Sequence, residues 1–265
     1  MDVFVIKKVL GNNVVVAAKG NKDYILTGKG IGFAKRPGEK IVKNDCIEKI
    51  FIEHMDKDIL EVTEQIITMA EETLKEKLNQ YIHVDLLDHI SFAIYRIKER
   101  MDIINPFLAE TQVLYGDEFA IAQIAGRMLE EKLKIKIPES EIGFITLHLH
   151  SARENCKVEQ TLKNTRFLTS LVATVEEELG ITLPPTSSEY ARLITHLKYA
   201  IERIEKNRFV INLVLDRVKN DLYNEYKVAV KIGRRITNYL GKEVPEDELG
   251  YITLHLFRLK NYIVS

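Results

Sequence analysis

Four histidines in this chain form two pairs with the same internal spacing. The interval from His89 to His148 equals the interval from His196 to His255. The second pair therefore follows the first at one fixed offset, which indicates an internal duplication. Because a duplication that keeps its histidines at a fixed separation would preserve their function, the pattern indicates chemistry at imidazole nitrogen.

The sequence around the histidines repeats as well. PESEIGFITLHLH at 138–150 and PEDELGYITLHLF at 245–257 are identical at nine of thirteen positions. HISFAIYRIKE at 89–99 similarly corresponds to HLKYAIERIEK at 196–206. The duplicated unit therefore includes the segments on both sides of each pair.

The residues alone leave three interpretations of the paired histidines open. They could be buried, hydrogen-bonded imidazoles that fix a helix crossing. They could bind a metal ion together with Asp88 and Glu141, although Asp88 corresponds to Thr195 in the second copy, so that ligand set is not preserved. They could accept phosphoryl groups. Nucleophilic hydrolysis has little support, since the chain has no nucleophile elbow, phosphate loop or H-E-x-x-H motif.

Phosphorylation would change the charge of a helical domain enough to act as a switch. A phosphoryl group adds roughly −1.5 to −2 charges. A charge pair near 4 Å is worth about 4 kcal/mol at an effective dielectric constant near 20. Driving a two-state equilibrium from one extreme to the other requires about 5.5 kcal/mol. One or two such groups could therefore reset how two helical domains dock.

The remaining histidines do not follow the repeat. His150 corresponds to Phe257, and a position that accepts phenylalanine favours a packing role. His54 and His83 have no partner in the other copy, so we interpret them as surface or packing residues.

The paired histidines must be positioned by helices. From about residue 57 the apolar residues follow the helical period. The pattern predicts helices at 60–78, 84–100, 117–133, 139–153, 165–179, 188–206, 209–222, 225–240 and 246–260. These helices form two homologous all-α bundles, at 57–163 and 164–265, with the polar stretch 155–165 as the linker.

The pattern at 1–56 predicts a different domain. Runs of β-branched and aromatic residues at 3–10, 13–19, 23–29 and 46–53 indicate strands, and the Gly and Asn residues between them favour tight turns. The result is a small antiparallel sheet. Such a sheet is marginally stable at this size, so pairing with a second copy would stabilise it.

The sheet domain and the helical bundles differ in charge. Residues 1–50 contain ten Lys or Arg and five Asp or Glu, whereas the whole chain has a net charge of −1. The sheet domain, called the head below, is therefore basic, and the helical bundles are acidic. A basic domain suggests contact with a polyanion, although a few solvated lysines would give the same pattern. The two cysteines form no ligand spacing, and no signal peptide or membrane-spanning run is present, so we expect a cytoplasmic protein with reduced thiols.

Three motifs together resemble one family. LLDHISFAI, NPFLAETQVLY and PESEIGFITLHLHSA resemble the first regulation domain of the BglG/SacY-type transcriptional antiterminators. RLITHLKYAIERI and ELGYITLHLFRL resemble their second regulation domain, and KKVLGNNVVVAAK with TGKGIGFAKR resembles their RNA-binding domain. The resemblance covers nearly the whole chain in the same order, and the wording is most similar to the glucose-type members.

The resemblance implies a function. Such proteins bind, as homodimers, an imperfect RNA hairpin in a nascent leader transcript, which blocks an overlapping terminator of sugar-uptake genes. The sugar permease, through its EIIB domain, phosphorylates the first regulation domain when its sugar is absent and inactivates the protein. The phosphocarrier HPr can phosphorylate the second domain, usually to activate it. The resemblance therefore implies neither enzymatic activity nor a cofactor, metal ion or membrane insertion.

The family motifs also assign residues. Matching them position by position implies phosphorylation at His89, His148, His196 and His255. In the head, the residues that match the RNA-contacting pattern are Lys8, Asn13, Gly28, Lys29, Gly30, Phe33 and Lys35. Lys29 stands where arginine is frequent in the family, which removes any bidentate contact there.

The chemistry of the head agrees with RNA recognition. Phe33 offers a ring for stacking and Asn13 an amide for a base edge, while Lys8, Lys35 and Arg36 can meet phosphates. The alternative is a sheet in which Phe33 belongs to the core and the glycines only form turns.

Two hypotheses from other classes remain. One is a metal-dependent helical enzyme or sensor that uses Asp88, His89 and His148. The other is a phosphohistidine-regulated DNA-binding activator, although no helix-turn-helix pattern precedes the bundles.

Overall fold

The computed structural model describes residues 2–11, 14–20, 22–28, 30–42, 48–52, 57–101, 103–208 and 210–264. These residues form five strands followed by ten helices, which confirms the predicted order of a small antiparallel sheet and then an all-helical region. The strands are β1 (Val3–Gly11), β2 (Val14–Lys19), β3 (Lys22–Thr27), β4 (Lys40–Val42) and β5 (Glu48–Ile52).

The strands pair in the order β4-β1-β2-β3-β5, and every neighbouring pair is antiparallel. The pairing of β1 with β2 shifts between Ile6 and Lys8 and again before Gly11, so β1 is irregular along the half that contains its two lysines. The short strand β4 was not predicted, because KIV is too brief to show an alternating pattern.

Alternate residues of the strands form one core, as the period of two requires. Phe4 of β1 meets Tyr24 of β3 edge-to-face, with ring centroids 5.2 Å apart. The buried members of this core are Phe4, Ile6, Val15, Ala17, Tyr24, Leu26, Ile31 and Ile41. The strand predicted at 23–29 ends at Thr27, and Ile31 returns to the core from the turn that follows.

The helices repeat with the offset that the histidines predicted. They are α1 (Lys57–Leu74), α2 (Ile82–Lys98), α3 (Leu108–Leu114), α4 (Gly116–Leu133), α5 (Glu139–Arg153), α6 (Val158–Leu179), α7 (Ser188–Glu205), α8 (Leu215–Asp221), α9 (Tyr223–Leu240) and α10 (Glu246–Val264). The shift that carries His89 onto His196 also carries α3 onto α8 and α4 onto α9 position for position, and α5 onto the first part of α10. Within the part of the chain that the structure describes, none of these helices has the length and apolarity of a membrane span.

The chain divides into two compact units. The first contains residues 1–106 and 115–161, and its helices pack in the ring α1–α2–α5–α4. The second contains residues 107–114 and 162–265, where α10 packs against α7, α8 and α9. The predicted domain boundaries at 56/57 and 163/164 remain predictions.

The short helix α3 belongs to the second unit although it lies between α2 and α4 in sequence. Tyr190 Oη on α7 donates a hydrogen bond to Glu110 Oε1 on α3 at 2.7 Å. Lys198 Nζ on α7 donates to the carbonyl oxygen of Leu114 at 2.9 Å. Sequence periodicity missed α3, because so short a helix makes barely two turns.

The linker predicted at 155–165 contains the division between the two units, after Thr161, but most of it is helical, because α6 already begins at Val158. Two buried positions in this stretch are occupied by Thr161 and Thr165, so the inner face of the helix looks polar in sequence. The hydroxyl of Thr161 is hydrogen-bonded to that of Ser151 at 2.8 Å, which satisfies both groups inside the protein.

The helix predicted at 209–222 is shorter than expected and begins at Leu215. The apolar residues ahead of it include Ile211 and Leu213, whose side chains are exposed rather than packed. The side-chain oxygen of Asn212 accepts a hydrogen bond from Val214 N at 3.2 Å. This local turn competes with helix formation, which explains why the helix starts late.

Candidate functional site

The first histidine pair lies where two helices of the first unit cross. His89 is on α2 and His148 is on α5, and their ring centroids are 4.7 Å apart. The crossing of the two helices therefore brings together two side chains that lie far apart in the sequence. The two imidazoles therefore form a pair in the folded chain as well as in the sequence.

A buried ion pair borders His89. Glu141 Oε2 lies 3.2 Å from His89 Nε2, but the two atoms are not aligned for a hydrogen bond. The other carboxylate oxygen accepts a hydrogen bond from Arg96 Nη2 at 2.9 Å. The side chain of Glu141 is only 2% exposed, so Arg96 is the cation that makes its burial tolerable.

His148 is held as a neutral imidazole. Burial and the nearby ring of His89 lower the pKa of His148 to about 3. Its Nδ1 is buried and has no hydrogen-bond partner among the described residues. A neutral ring has an unprotonated nitrogen at pH 7, and such a nitrogen can act as a nucleophile.

The second pair repeats this arrangement between α7 and α10. The rings of His196 and His255 are stacked, with centroids 3.6 Å apart and planes inclined by 19°. Burial and then His196 and surrounding arginines lower the pKa of His255 to about 4. Burial, followed by Arg192, Arg203 and Arg258, lowers the pKa of His196.

The second pair also has a buried glutamate with an arginine partner. Arg203 donates from Nε and Nη2 to the two carboxylate oxygens of Glu248, at 2.8 and 2.7 Å. These residues correspond to Arg96 and Glu141 in the repeat, so the duplication kept the ion pair together with the histidines. Sequence reasoning considered Glu141 only as a metal ligand and missed Arg96, although the same offset would have identified both pairs.

The histidines outside the pairs have structural partners where they are described. His150 Nδ1 lies 3.1 Å from Glu118 Oε1, and its ring stacks on Tyr115 with centroids 3.9 Å apart. His83 Nδ1 lies 2.9 Å from Glu64 Oε1. These contacts agree with the packing roles predicted for both, while His54 lies outside the described residues.

The metal hypothesis finds no ligand set in the described part of the chain. No group of three His, Cys, Asp or Glu side chains there could hold a metal ion. Asp88 lies on the same helix as His89, but the carboxylate that approaches the imidazole belongs to Glu141.

In the head, Phe33 is 68% exposed and does not belong to the core. It sits in a run of turns after β3, in which Ile31 N donates to Gly28 O and Phe33 N donates to Gly30 O. Gly30 has a φ of +72°, a conformation that favours glycine. The turns therefore present an aromatic ring to solvent on a hydrogen-bonded backbone.

The basic residues of the head lie on segments that are hydrogen-bonded to each other. Ile6 N donates to Glu39 O, and Gly38 N donates to Ile6 O, so the segment after the turns is attached to β1 near Lys8. Lys8, Lys35 and Arg36 are all exposed, and Lys35 forms an ion pair with Glu39 at 2.9 Å. Of the predicted RNA-contacting residues, Asn13 and Lys29 lie outside the described residues.

Comparison with known families matches almost the whole chain. The CAT RNA binding domain matches residues 4–59. The PRD domain matches twice, at residues 64–152 and 169–259, and each match contains one histidine pair.

Full-length relatives are similar throughout. Protein GlcT of Staphylococcus haemolyticus is 31% identical, over 100% of this chain and 99% of its own length. Transcription antiterminator LicT of Bacillus subtilis is 34% identical, over 96% of this chain and 98% of its own. The GlcA/glcB genes antiterminator of Staphylococcus carnosus is 33% identical, over 97% and 96%. The crystal structure of GlcT CAT-PRDI is 36% identical, covers 57% of this chain and 98% of its own, and has a TM-score of 0.38.

Proposed function

The chain belongs to the family of transcription antiterminators that join a CAT RNA-binding domain to two PRD domains, and we propose its function on that basis. It is an RNA-binding regulator of transcription whose activity depends on the phosphotransferase system. Its relatives are transcription regulators, and we expect no catalytic activity and no cofactor requirement of its own.

The RNA target is a hairpin in a nascent leader transcript, bound by a homodimer in the cytoplasm. Binding would block an overlapping terminator, so that polymerase continues into sugar-uptake genes. Relatives named GlcT and the GlcA/glcB antiterminator favour a glucose phosphotransferase system as the regulated target.

The head would contact the RNA through Phe33 and the surrounding cations. Sequence-specific RNA recognition uses unstacked bases, which stack on aromatic rings. The exposed ring of Phe33 fits this role, and Lys8, Lys35 and Arg36 would pair with phosphates. Asn13, Gly28, Lys29 and Gly30 complete the proposed surface on the basis of the family motif.

The four paired histidines would accept phosphoryl groups. The permease, through its EIIB domain, would modify His89 and His148, and HPr would modify His196 and His255. The low pKa values of His148 and His255 support this, because a neutral ring nitrogen keeps the electron pair that attacks phosphorus. Each pair lies between two packed helices, so added charge there would act on helix packing.

The observation that carries the proposal is the coincidence of each histidine pair with one PRD match. Purified phosphotransferase components and labelled phosphoenolpyruvate test it on the full chain, followed by mapping of the modified residues. We expect label on the four paired histidines and none on His83 or His150. Label elsewhere, or none at all, would overturn the assignment.

RNA binding has a separate test with a matched pair of variants. Phe33→Ala should weaken binding of the full chain to a leader hairpin by roughly 1–3 kcal/mol, the usual value of one base stacked on an aromatic ring. Tyr81→Ala is the control, because Tyr81 is similarly exposed but lies beside α2. Affinity of both proteins should fall steeply with salt. If the two variants lost the same amount of affinity for the hairpin, Phe33 would not be a specific contact of the RNA.

A further inference from the structure

The cavities beside the two histidine pairs have opposite charge. In the first unit, a cavity of about 560 Å³ is lined by His148 and by the carboxylates of Asp85, Asp88 and Glu159, with Lys157 as its cation. Burial and the carboxylates of Glu159 and Asp88 raise the pKa of Asp85, so these acids repel one another. A negatively charged group attached to His148 would therefore be repelled by these carboxylates.

In the second unit the corresponding cavity is basic. Both rings of the pair line it, together with two guanidinium groups, from Arg192 and Arg258, and one carboxylate, from Glu189. Both arginines are close enough to lower the pKa of His196 and of His255. Arg203 also faces the pair, and it donates two hydrogen bonds to Glu248.

The reversal occurs at equivalent positions of the duplication. With the offset that relates the two histidine pairs, Asp85 on α2 corresponds to Arg192 on α7, and Ser151 on α5 corresponds to Arg258 on α10. The ion pair of Arg96 with Glu141 is retained in the other copy. At these two positions the charge of the cavity wall changes, while both histidines and the ion pair beside them are kept.

We propose that Arg192 and Arg258 form a receiving site for a dianionic phosphoryl group, so that the second histidine pair retains phosphate longer than the first. This inference rests on the proposed function, since it assumes that the paired histidines are phosphorylated. The two guanidinium groups would pair with the phosphoryl oxygens, as arginine does with carboxylate and phosphate anions. Asp85 and Asp88 would repel the same group in the first unit.

The chemistry of phosphate loss supports the difference. In hydrolysis, water attacks phosphorus, the P–N bond breaks, and its electrons return to the ring nitrogen, which takes up a proton as inorganic phosphate leaves. The arginines oppose arrival of that proton, because they disfavour positive charge on either ring. The carboxylates of Asp85, Asp88 and Glu159 line the cavity beside His148 and would repel the phosphoryl dianion, which shortens its lifetime there.

Phosphoramidate provides a direct test without any partner protein. The histidine nitrogen attacks phosphorus, and the P–N bond of the reagent breaks. The amino group of the reagent takes up the proton that the imidazole loses and leaves as ammonia. The full chain is treated with the reagent, freed of it, and sampled over time by mass spectrometry of peptides from each PRD domain. We expect phosphate to persist longer at His196 and His255 than at His89 and His148.

Variants identify the cause. Arg192→Gln and Arg258→Gln should each shorten the lifetime at the second pair by about threefold to fivefold, the factor expected for one exposed charge pair. Arg192→Lys should restore most of it, which separates charge from side-chain shape. Arg217→Gln is the control, because Arg217 is an exposed arginine of α8 outside the cavity. Asp85→Asn should lengthen the lifetime at the first pair.

Three results would each overturn the receiving site. They are equal lifetimes at the two pairs, unchanged lifetimes in both arginine variants, and no phosphate on the second pair after treatment. Circular dichroism confirms that each variant remains helical. The phosphoramidate experiment contains no phosphotransferase protein, so it tests the receiving site alone. The proposed donors are tested separately, by labelling the chain with purified phosphotransferase components.

Discussion

The stacked rings of His196 and His255, with centroids 3.6 Å apart, are close enough that two positive charges there would repel strongly. His89 and His148 show the same relationship at 4.7 Å. In both pairs, burial and the neighbouring ring favour the neutral form of the second histidine, which is His148 in the first pair and His255 in the second. The arrangement therefore keeps a nucleophilic nitrogen available at the pH of a cell.

Imidazole titration should show this directly. Folded pKa values of about 3 for His148 and about 4 for His255 lie below the ordinary value near 6.5. We expect the ring signals of both residues in nuclear magnetic resonance spectra to remain in the neutral position from pH 8 down to pH ~5. In urea the same signals should titrate near pH ~6.5.

The shift also sets the sign of the pH dependence of stability. The unfolded chain binds protons at His148 and His255 that the folded chain does not bind, so protonation favours unfolding. Their contribution is present above pH ~6.5 and is lost as the pH falls toward the folded values. Native signals that titrate near pH ~6.5 would contradict the buried, neutral pairs.

The buried ion pair of Arg96 and Glu141 should be sensitive to the loss of one partner. Arg96→Gln leaves the carboxylate of Glu141 buried without its cation, which costs about 3–5 kcal/mol in comparable cases. Adding Glu141→Gln should recover much of the loss, because two neutral amides replace the stranded charge. Urea unfolding of the single and double variants measures this coupling.

An exposed ion pair provides the control for that cycle. Arg217 lies 4.0 Å from Asp221 on α8, and both side chains are largely exposed. Arg217→Gln should change the free energy of unfolding by less than about 0.5 kcal/mol. If Arg96→Gln had an equally small effect, the pair beside His89 would have no structural role.

The sequence was sufficient where the apolar period is long and regular. The helix predicted at 139–153 has those bounds in the structure, and the equal spacing of the histidines selected two residues, His89 and His148, whose rings lie 4.7 Å apart. The period failed where polar residues face inward, as at Thr161 and Thr165 in α6. It also failed where apolar residues face outward, as at Leu213 ahead of α8.

The environment of the site could be predicted only in part. Duplication identified the histidines, because it is visible as identical spacing. The contact of Arg96 with Glu141 depends on where α2 crosses α5, which no local pattern specifies. The exchange of Asp85 for Arg192 is visible in the alignment of the two copies, but its meaning requires the cavities that these residues line.

A tightly packed glycine in the second unit should not tolerate alanine. A Cβ atom at Gly250 would lie 2.5 Å from Asn212 Nδ2 and 2.8 Å from Leu215 Cδ1. The side chain of Asn212 is held in place, because its Oδ1 accepts a hydrogen bond from Val214 N at 3.2 Å and its backbone N donates to Asp247 Oδ1 at 2.8 Å. Overpacking of about 1–3 kcal/mol should exceed the gain of about 1 kcal/mol in helix propensity.

Gly116 is the matched control for that substitution. It is also helical, at the first position of α4, but nothing lies within 4 Å of the Cβ that alanine would add. Gly116→Ala should therefore leave the midpoint of thermal unfolding unchanged or raise it, whereas Gly250→Ala should lower it. Equal midpoints of thermal unfolding for the two variants would show that the loop at Asn212 shifts at little cost to accommodate the added methyl group.

Loss of a first-pair histidine should uncouple antitermination from the sugar. His89→Ala or His148→Ala removes a ring nitrogen that the permease would phosphorylate, so the inhibitory charge can no longer be added there. A terminator-reporter fusion should then be read through equally with and without sugar. His83→Ala is the control, because His83 lies on the same helix as His89 but pairs with Glu64, and its variant should keep the sugar response. Aspartate is a poor substitute for phosphohistidine, since it has one charge on a shorter side chain. First-pair variants that stay repressed without sugar would show that the inhibitory phosphate is placed elsewhere.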